Sequence, residues 1–537
     1  MRRRDFLAGA AAAAAAPPLR ADRSIPFAPT WESLAAGWRA PDWFRDAKFG
    51  IWAHWGPQCV PEAGDWYARL LYLQGSAAYA HHLKHYGHPA DTGFLDIIGR
   101  WKAEAWDPEG LVGFYKENGA RYFVALANHH DNFDCYASSH HGWNSVRVGP
   151  MRDLIGGWAR AARKAGLRFG VSNHSAHAWH WYQPAYGYDP EGPRRGARYD
   201  AYRLRAADGR GTWWEGLDPQ ALYTGGAMVV PDGVGSVAAM NAWHDAHDGQ
   251  WLETVPPGNA AFAERWLARC NELTDRYDPD LLYFDDTGLP LGGYGLRATA
   301  HFYKASRRRR GRLDAVVTGK QLSGPQRGAI LEDVERGYSD RLRPEPWQTD
   351  TCIGDWHYNR ARFEQRSYVP AKAVIQRLCD TVAKNGNLLL SVPVRGDGSI
   401  DSEERRIVAA IGAWLRRNGE AIYATRPWRR FGEGPTQPAA GMLNEAAAKP
   451  FTARDIRFTT RPGALYAILL EAPREGPVPI ESLGTARAGR IARVELVGGG
   501  PLAFRQEAGA LLVDGVGRSA GDVPVLRVRG GGLTDPY

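Results

Sequence analysis

Leu281-Leu282-Tyr283-Phe284-Asp285-Asp286 sets four apolar residues directly against two carboxylates. A short uncharged apolar run reads as a strand buried on both faces. Its abrupt end puts the acids at the strand's C-terminal tip. Side chains alternate along a strand, so Asp285 shares the face of Tyr283 if the alternation continues. A helix cap or a buried salt bridge would use the same two residues, and the pair alone leaves its role open.

Five further runs read the same way: Phe49–Ala53 and residues 122–127, 167–172, 315–318 and 388–392. Helical segments lie between them. Residues 108–118 put Leu111, Phe114 and Tyr115 on one face, and residues 151–165 do so with Leu154, Trp158 and Ala162. Strand and helix alternating over about 350 residues predict an α/β fold, either a (β/α) TIM-like barrel or a doubly wound sheet. Residues 182–262 interrupt the pattern. They are rich in Gly, Pro, Tyr and Asp, and read as a long insertion roofing one end of the barrel.

The barrel unit spans residues 22–424 on this reading. Its last helix is capped by Asp401, with Glu404 three residues on as the second half of a capping box, and Asn418-Gly419 as the stop. From residue 425 to 537 the pattern changes to short alternating runs at 456–458, 464–470, 491–496, 511–513 and 523–528. Turn residues separate them, which predicts a small antiparallel β-sandwich.

Polar residues just beyond each strand carry the chemical signal. His54-Trp55-Gly56 comes after the first run, Asn128-His129-His130-Asp131 after the second and Asn173-His174 after the third. Asp285-Asp286 and Gly319-Lys320-Gln321 come after the next two. In a (β/α) barrel such residues converge at the C-terminal face, where active sites lie. His129 and His130 admit three readings: a metal site with His140, His141 and Cys135 nearby, imidazoles that grip ligand hydroxyls, or a core histidine bonded to backbone. Neighbouring residues on an extended chain point to opposite sides, which argues against one metal taking both.

Composition narrows the class further. The 537 residues are 44% hydrophobic and 23% charged, with 21 Trp. Flat rings can stack on the apolar face of a pyranose, but a large core would use them equally well. The net charge is +8, three of it from the first 21 residues. Arg307-Arg308-Arg309-Arg310 is the one dense basic run and reads as a solvated helix end. A nucleic-acid surface needs a basic stripe interleaved with stacking aromatics. Arg3-Arg4-Asp5-Phe6-Leu7, before an Ala-rich stretch, fits a twin-arginine export signal over residues 1–21, giving a periplasmic or secreted product. No later segment is apolar enough to insert in a membrane. Cys59, Cys135, Cys270, Cys352 and Cys379 form no disulfide framework.

Several ordered blocks resemble glycoside hydrolase family 29, the α-L-fucosidases. Residues 43–56, WFRDAKFGIWAHWG, are similar to an early family motif that Val60 to Tyr67 continues. Asn128 to Phe133 resembles a second, with Asn132 in place of the usual Gly. Trp143-Asn144-Ser145 and Arg152-Asp153-Leu154 match the next. Residues 277–285, YDPDLLYFD, resemble the strand that bears the nucleophile, and 346–359 and 384–390 match later blocks. Together they cover residues 30–430.

The resemblance implies an exo-acting, retaining hydrolase of terminal α-L-fucosyl groups on oligosaccharides or glycoconjugates, with no metal or cofactor. Asp285 carries over as nucleophile. His54, Trp66, His129 and His130 would hold sugar hydroxyls, and Trp52 and Tyr283 would line the pocket. Glu335, beside Arg336, is the favoured acid/base, with Glu332 as alternative. Lys320 stands where the family has Arg. Trp179, Trp181 and Tyr182 are candidates for the aglycone side. A non-catalytic fucose-binding protein and a metal-dependent hydrolase built on His129 and His130 are the rival readings. A homo-oligomer is compatible with all of them.

Overall fold

A computed structural model describes residues 27–517 and 522–533. The twin-arginine stretch, residues 1–21, lies outside them. Eight parallel strands close into a barrel: Phe49–Ala53 (β1), Tyr122–Asn128 (β2), Arg168–Asn173 (β3), Leu281–Phe284 (β4), Val316–Lys320 (β5), Leu331–Asp333 (β6), Trp347–Cys352 (β7) and Gly386–Ser391 (β8). Pairing of β1 with β8, Phe49 opposite Leu388 through Trp52 opposite Ser391, closes the ring. The doubly wound alternative is thereby excluded.

Six of these strands coincide with the apolar runs in the sequence. The other two, β6 and β7, carry Glu332-Asp333 and Gln348-Thr349-Asp350-Thr351 and have no apolar signature. Their polar groups satisfy one another inside the barrel. Tyr122 OH donates to Gln348 Oε1 at 2.9 Å, and Gln348 Nε2 donates to Asp333 Oδ1 at 2.8 Å. Tyr283 OH then donates to Asp333 Oδ2 at 3.2 Å and Asp350 Oδ2 at 2.7 Å. Buried polar groups persist only when partnered, and this chain of bonds crosses the barrel from β2 to β7.

The helices obey local rules. Helix Pro108–Glu117 starts at Asp107, whose carboxylate accepts from Gly110 N–H, with Pro at the first turn. Helix Ser402–Asn418 has the capping box in full, Asp401 with Glu404. Helix Gly293–Arg310 ends in the four-arginine run, where Arg309 and Arg310 pair with Asp275, Asp278 and Asp280. Cationic side chains at a helix C-terminus also meet the negative end of its dipole.

Between β3 and β4 the chain runs through short helices, including Asp200–Arg203 and Val237–Ala246, before the crossover helix Ala260–Tyr277. The roof is held by polar pins, such as Asp200 accepting from Tyr72 OH at 2.7 Å and from Tyr223 OH.

After the barrel come Arg426–Glu433 (β9), Ile456–Arg461 (β10), Ala464–Leu469 (β11), Val478–Ile480 (β12), Ile491–Leu496 (β13), Gly500–Pro501 (β14), Phe504–Gln506 (β15), Leu511–Val513 (β16) and Val525–Gly530 (β17). They form an antiparallel sheet in order β14-β13-β17-β11-β10-β9 and a smaller one in order β12-β16-β15. Alternation on β11 explains the packing. Leu465, Ala467 and Leu469 face the small sheet's Val478, Ile480 and Leu511, while Ala464, Tyr466 and Ile468 join the barrel's own core.

Candidate active site

A cavity of about 650 Å³ opens at the C-terminal ends of the barrel strands. Its lining includes Trp52, His54, Trp66, His129, His130, His174, Asp285, Lys320 and Glu335. The polar strand tips seen in sequence therefore do converge. Trp52 comes from β1, and His54, His129, His174 and Asp285 lie just past the ends of β1 to β4. Lys320 is the last residue of β5.

The backbone delivers them in distinct ways. Strand β2 stops at Asn128 and the chain turns, so His129 and His130 both face the cavity, with ring centroids 4.2 Å apart. Gly319 sits where a Cβ would come 2.1 Å from the Gly288 carbonyl oxygen, so β5 packs tightly against the loop after β4 beside Lys320. Four lining residues other than glycine, Trp66, Gln321, Arg336 and Leu443, hold left-handed backbone. Such conformations cost free energy and gather where surrounding structure enforces them.

Lys320 is the electrostatic hub. Its Nζ bonds both Asp285 Oδ1 and Glu335 Oε2. Asp285 Oδ2 lies 3.3 Å from His174 Nδ1 and 3.6 Å from His130 Nε2. Burial alone would push the Asp285 carboxyl up. The Lys320 ammonium, then the nearby His174 and His130 imidazoles, outweigh it and hold the group well below the usual carboxylate range. Burial disfavours the ammonium too, but Asp285, Glu335, Asp350 and Asp333 together raise Lys320 well above its ordinary value. Asp333, one layer down, is pushed up to about 7 by burial, so it is a ready hydrogen-bond partner rather than a second fixed anion.

His54 and His129 are neutral in character. Burial, then His357 and His174, lowers His54 well below the usual range, and burial with His130 does the same to His129. Gln58 Nε2 donates to His129 Nδ1 at 2.9 Å, which leaves the His129 proton on Nε2. His130 Nδ1 donates to the His174 carbonyl at 2.7 Å. Neither ring nitrogen of His54 or His357 has a hydrogen-bond partner. Buried polar atoms without partners at a cavity are positions for ligand hydroxyls. Aromatic walls complete the site: Trp52, Trp66, Trp251 and Trp356. The tryptophan count has both origins, since Trp55, Trp101, Trp143, Trp158, Trp266, Trp347 and Trp428 are core residues.

Two expectations are corrected. Tyr283 does not line the cavity. It is fully buried beneath it, its ring 4.6 Å from Trp52 and its hydroxyl turned to Asp350 and Asp333. Strand alternation continues past Phe284, whose ring packs outward on Trp266, so Asp285 shares the inward face of Tyr283 and stands one layer above it at the cavity. Trp179, Trp181 and Tyr182 form no aglycone platform, because all three are buried. Trp181 packs under His130 and Trp66 instead. The insertion's contribution to the rim is Trp251, 40% exposed.

The two acid/base candidates separate by geometry. Glu335 is in the cavity. Glu332 lies on the outer face of β6, where Arg327 and Arg343 hold it. Trp251, Trp356, His357, Met442 and Leu443 also line the cavity. Trp356 and His357 fall within the 346–359 block, but none of the five had a role legible in the sequence. His357 comes after β7, the strand whose polar sequence hid it, and the other signals were no stronger.

A family model described as Alpha-L-fucosidase matches residues 14–420. The tissue alpha-L-fucosidase of Rattus norvegicus is 26% identical over 484 residues, covering 88% of this chain and 85% of the relative. That of Homo sapiens is 25% identical over 483 residues, covering 88% and 84%. Among solved structures, the alpha-fucosidase of Thermotoga maritima with a mechanism based inhibitor superposes with a TM-score of 0.68 at 24% identity, over 94% of this chain and all of that one. The structural likeness speaks to the fold.

Proposed function

The chain belongs to the α-L-fucosidase family of glycoside hydrolases, and from that premise we propose that it removes terminal α-L-fucosyl groups from fucosylated oligosaccharides or glycoconjugates with retention of configuration. The observation that carries the reading is the hold of one ammonium, Lys320, on both Asp285 and Glu335. Two carboxylate oxygens bonded to one nitrogen are at most roughly 6 Å apart, twice a hydrogen-bond length. Retaining glycosidases space their carboxyl groups about 5–5.5 Å apart and inverting ones about 6.5–9.5 Å.

In the first step Glu335 protonates the glycosidic oxygen as Asp285 attacks the anomeric carbon. The C–O bond breaks, the aglycone leaves with the proton, and a glycosyl ester forms on Asp285. Glu335, now a carboxylate, takes a proton from water, and the water oxygen displaces Asp285. An ionised Asp285, as Lys320 enforces, is the form that can attack. Neutral His129 can donate through Nε2 to a sugar hydroxyl, neutral His54 can donate or accept, and Trp52 and Trp356 offer apolar surface for the 6-deoxy methyl group.

Hydrolysis of 4-nitrophenyl α-L-fucoside, monitored by proton NMR, tests this directly. α-L-Fucose should appear first and mutarotate later. β-L-Fucose as first product would overturn retention, and fucose binding without turnover would favour the lectin-like reading. Export by the twin-arginine route is also proposed, on the Arg3 to Leu7 pattern. Replacing Arg3 and Arg4 by Lys should keep the protein in the cytoplasm.

A further inference from the structure

Behind the nucleophile, three side chains from three segments meet: His177 after β3, Glu253 near the end of the insertion, and Asp286 after β4. One ligand atom from each lies within 4.8 Å of the others. His177 Nε2 is 2.8 Å from Asp286 Oδ1 and 3.6 Å from Glu253 Oε2. Asp286 is fully buried and His177 is buried with it. Neither oxygen of Asp286 receives a hydrogen bond, nor does Glu253 Oε2.

The hydrogen bonds around His177 fix which nitrogen is bare. His180 Nδ1 faces the Asp248 carbonyl at 3.2 Å, and only an N–H can bond there. His180 Nε2 is then an acceptor, and His177 Nδ1, 3.2 Å away, must be its donor. The neutral His177 ring therefore turns the lone pair of Nε2 toward two carboxylates. Three electron-rich atoms facing one another in a buried space repel unless a proton or a metal cation lies between them. An imidazole whose other N–H is held by an outer partner is also how metal-ligating histidines are oriented.

We propose that His177, Glu253 and Asp286 bind one divalent cation that clamps the insertion to the barrel wall. One imidazole nitrogen and two carboxylates suit zinc or manganese, with water completing the shell. The clamp bears on the rim of the cavity. Trp251 stacks on the His177 ring, centroids 3.8 Å apart, and precedes Glu253 by two residues. Glu253 Oε1 is already fixed by the Thr287 N–H at 2.7 Å, so only its second oxygen is free for the ion. The site needs no step of the glycosidase chemistry, and its test does not read turnover.

The full chain, stripped with a chelator and dialysed, is titrated calorimetrically with zinc and separately with manganese, and its metal content is measured after gel filtration. Wild type should retain about one ion per chain, with a higher melting temperature when loaded. Glu253→Gln keeps the acceptor for Thr287 and turns an N–H donor toward Asp286, so its metal-free melting temperature should be no lower than that of stripped wild type, yet it should lose the bound ion. His180→Phe, which removes the outer partner of His177 together with its bond to the Asp248 carbonyl but touches no ligand atom, should weaken binding by roughly 10–100-fold. The proposal is overturned if stripped wild type binds neither ion, in which case a proton holds the cluster together. It is equally overturned if Glu253→Gln binds as wild type does, since the ion would then sit elsewhere.

Discussion

Asp285 shows how far one residue can be read. As a carboxylate after an apolar run it could have been a cap or a salt bridge, and the four other polar strand tips made it part of a site. What sequence could not convey was its surroundings, because Lys320, His174 and His130 reach it from three other strands. Glu335 and Glu332 looked interchangeable three residues apart. Strand β6 separates them, turning Glu332 outward to Arg327 and Arg343 and leaving Glu335 beyond the strand end. Glu335→Ala should therefore slow substrates with poor leaving groups by roughly 10²–10⁴-fold, the usual worth of a general acid. Aryl fucosides with acidic leaving groups should suffer far less in the first step. Glu332→Ala should leave both kinds of substrate near wild-type rates, and steady-state kinetics on a leaving-group series separates the two outcomes.

At the scale of elements, apolar runs disclosed six of the eight barrel strands. Strands β6 and β7 escaped because hydropathy records burial against carbon, whereas Asp333, Gln348 and Asp350 are buried against one another and Tyr283. The insertion escaped detailed reading for a related reason: its anchors are single polar residues, not periodic faces. Asp200 is one such anchor. Burial, offset in part by the Tyr223 and Tyr72 hydroxyls, raises its carboxyl to about 7. The folded state thus keeps a proton that the unfolded chain releases near pH 4. The stability this group contributes is complete below about pH 4 and is lost as pH rises through about 7, by up to roughly 4 kcal/mol. Asp200→Asn removes the titration and keeps a side chain that can bond both hydroxyls. Urea melts should find wild type losing ground to Asp200→Asn between pH 4 and pH 8. A difference that stays constant with pH would contradict the assignment.

Across the whole molecule, the alternation of patterns was enough to place a barrel before a set of antiparallel sheets. It gave no hint that the second part reaches back to the cavity. Met442 and Leu443, from the segment between β9 and β10, line it, and Leu443 is 66% exposed, so no burial pattern marks it. Glu445 secures that segment. It bonds Arg336, a cavity residue, and Arg377, and accepts from Thr351 Oγ1 at 2.7 Å. Glu445→Ala leaves Arg377 buried without its carboxylate, which should cost about 3–5 kcal/mol in a denaturant melt. The same variant should raise KM for fucosides, because Arg336, Met442 and Leu443 lose their support. Unchanged stability would mean that the segment is held by something else.

The central claim is that Asp285 attacks the anomeric carbon. Asp285→Gly removes the carboxylate and leaves room for a small anion in its place. The variant should lose turnover of 4-nitrophenyl α-L-fucoside by roughly 10⁴-fold or more, as loss of a nucleophile does. Added azide should restore nitrophenol release and yield β-L-fucosyl azide, identified by NMR. Wild-type-like hydrolysis by Asp285→Gly, or an azide product of α configuration, would contradict the assignment.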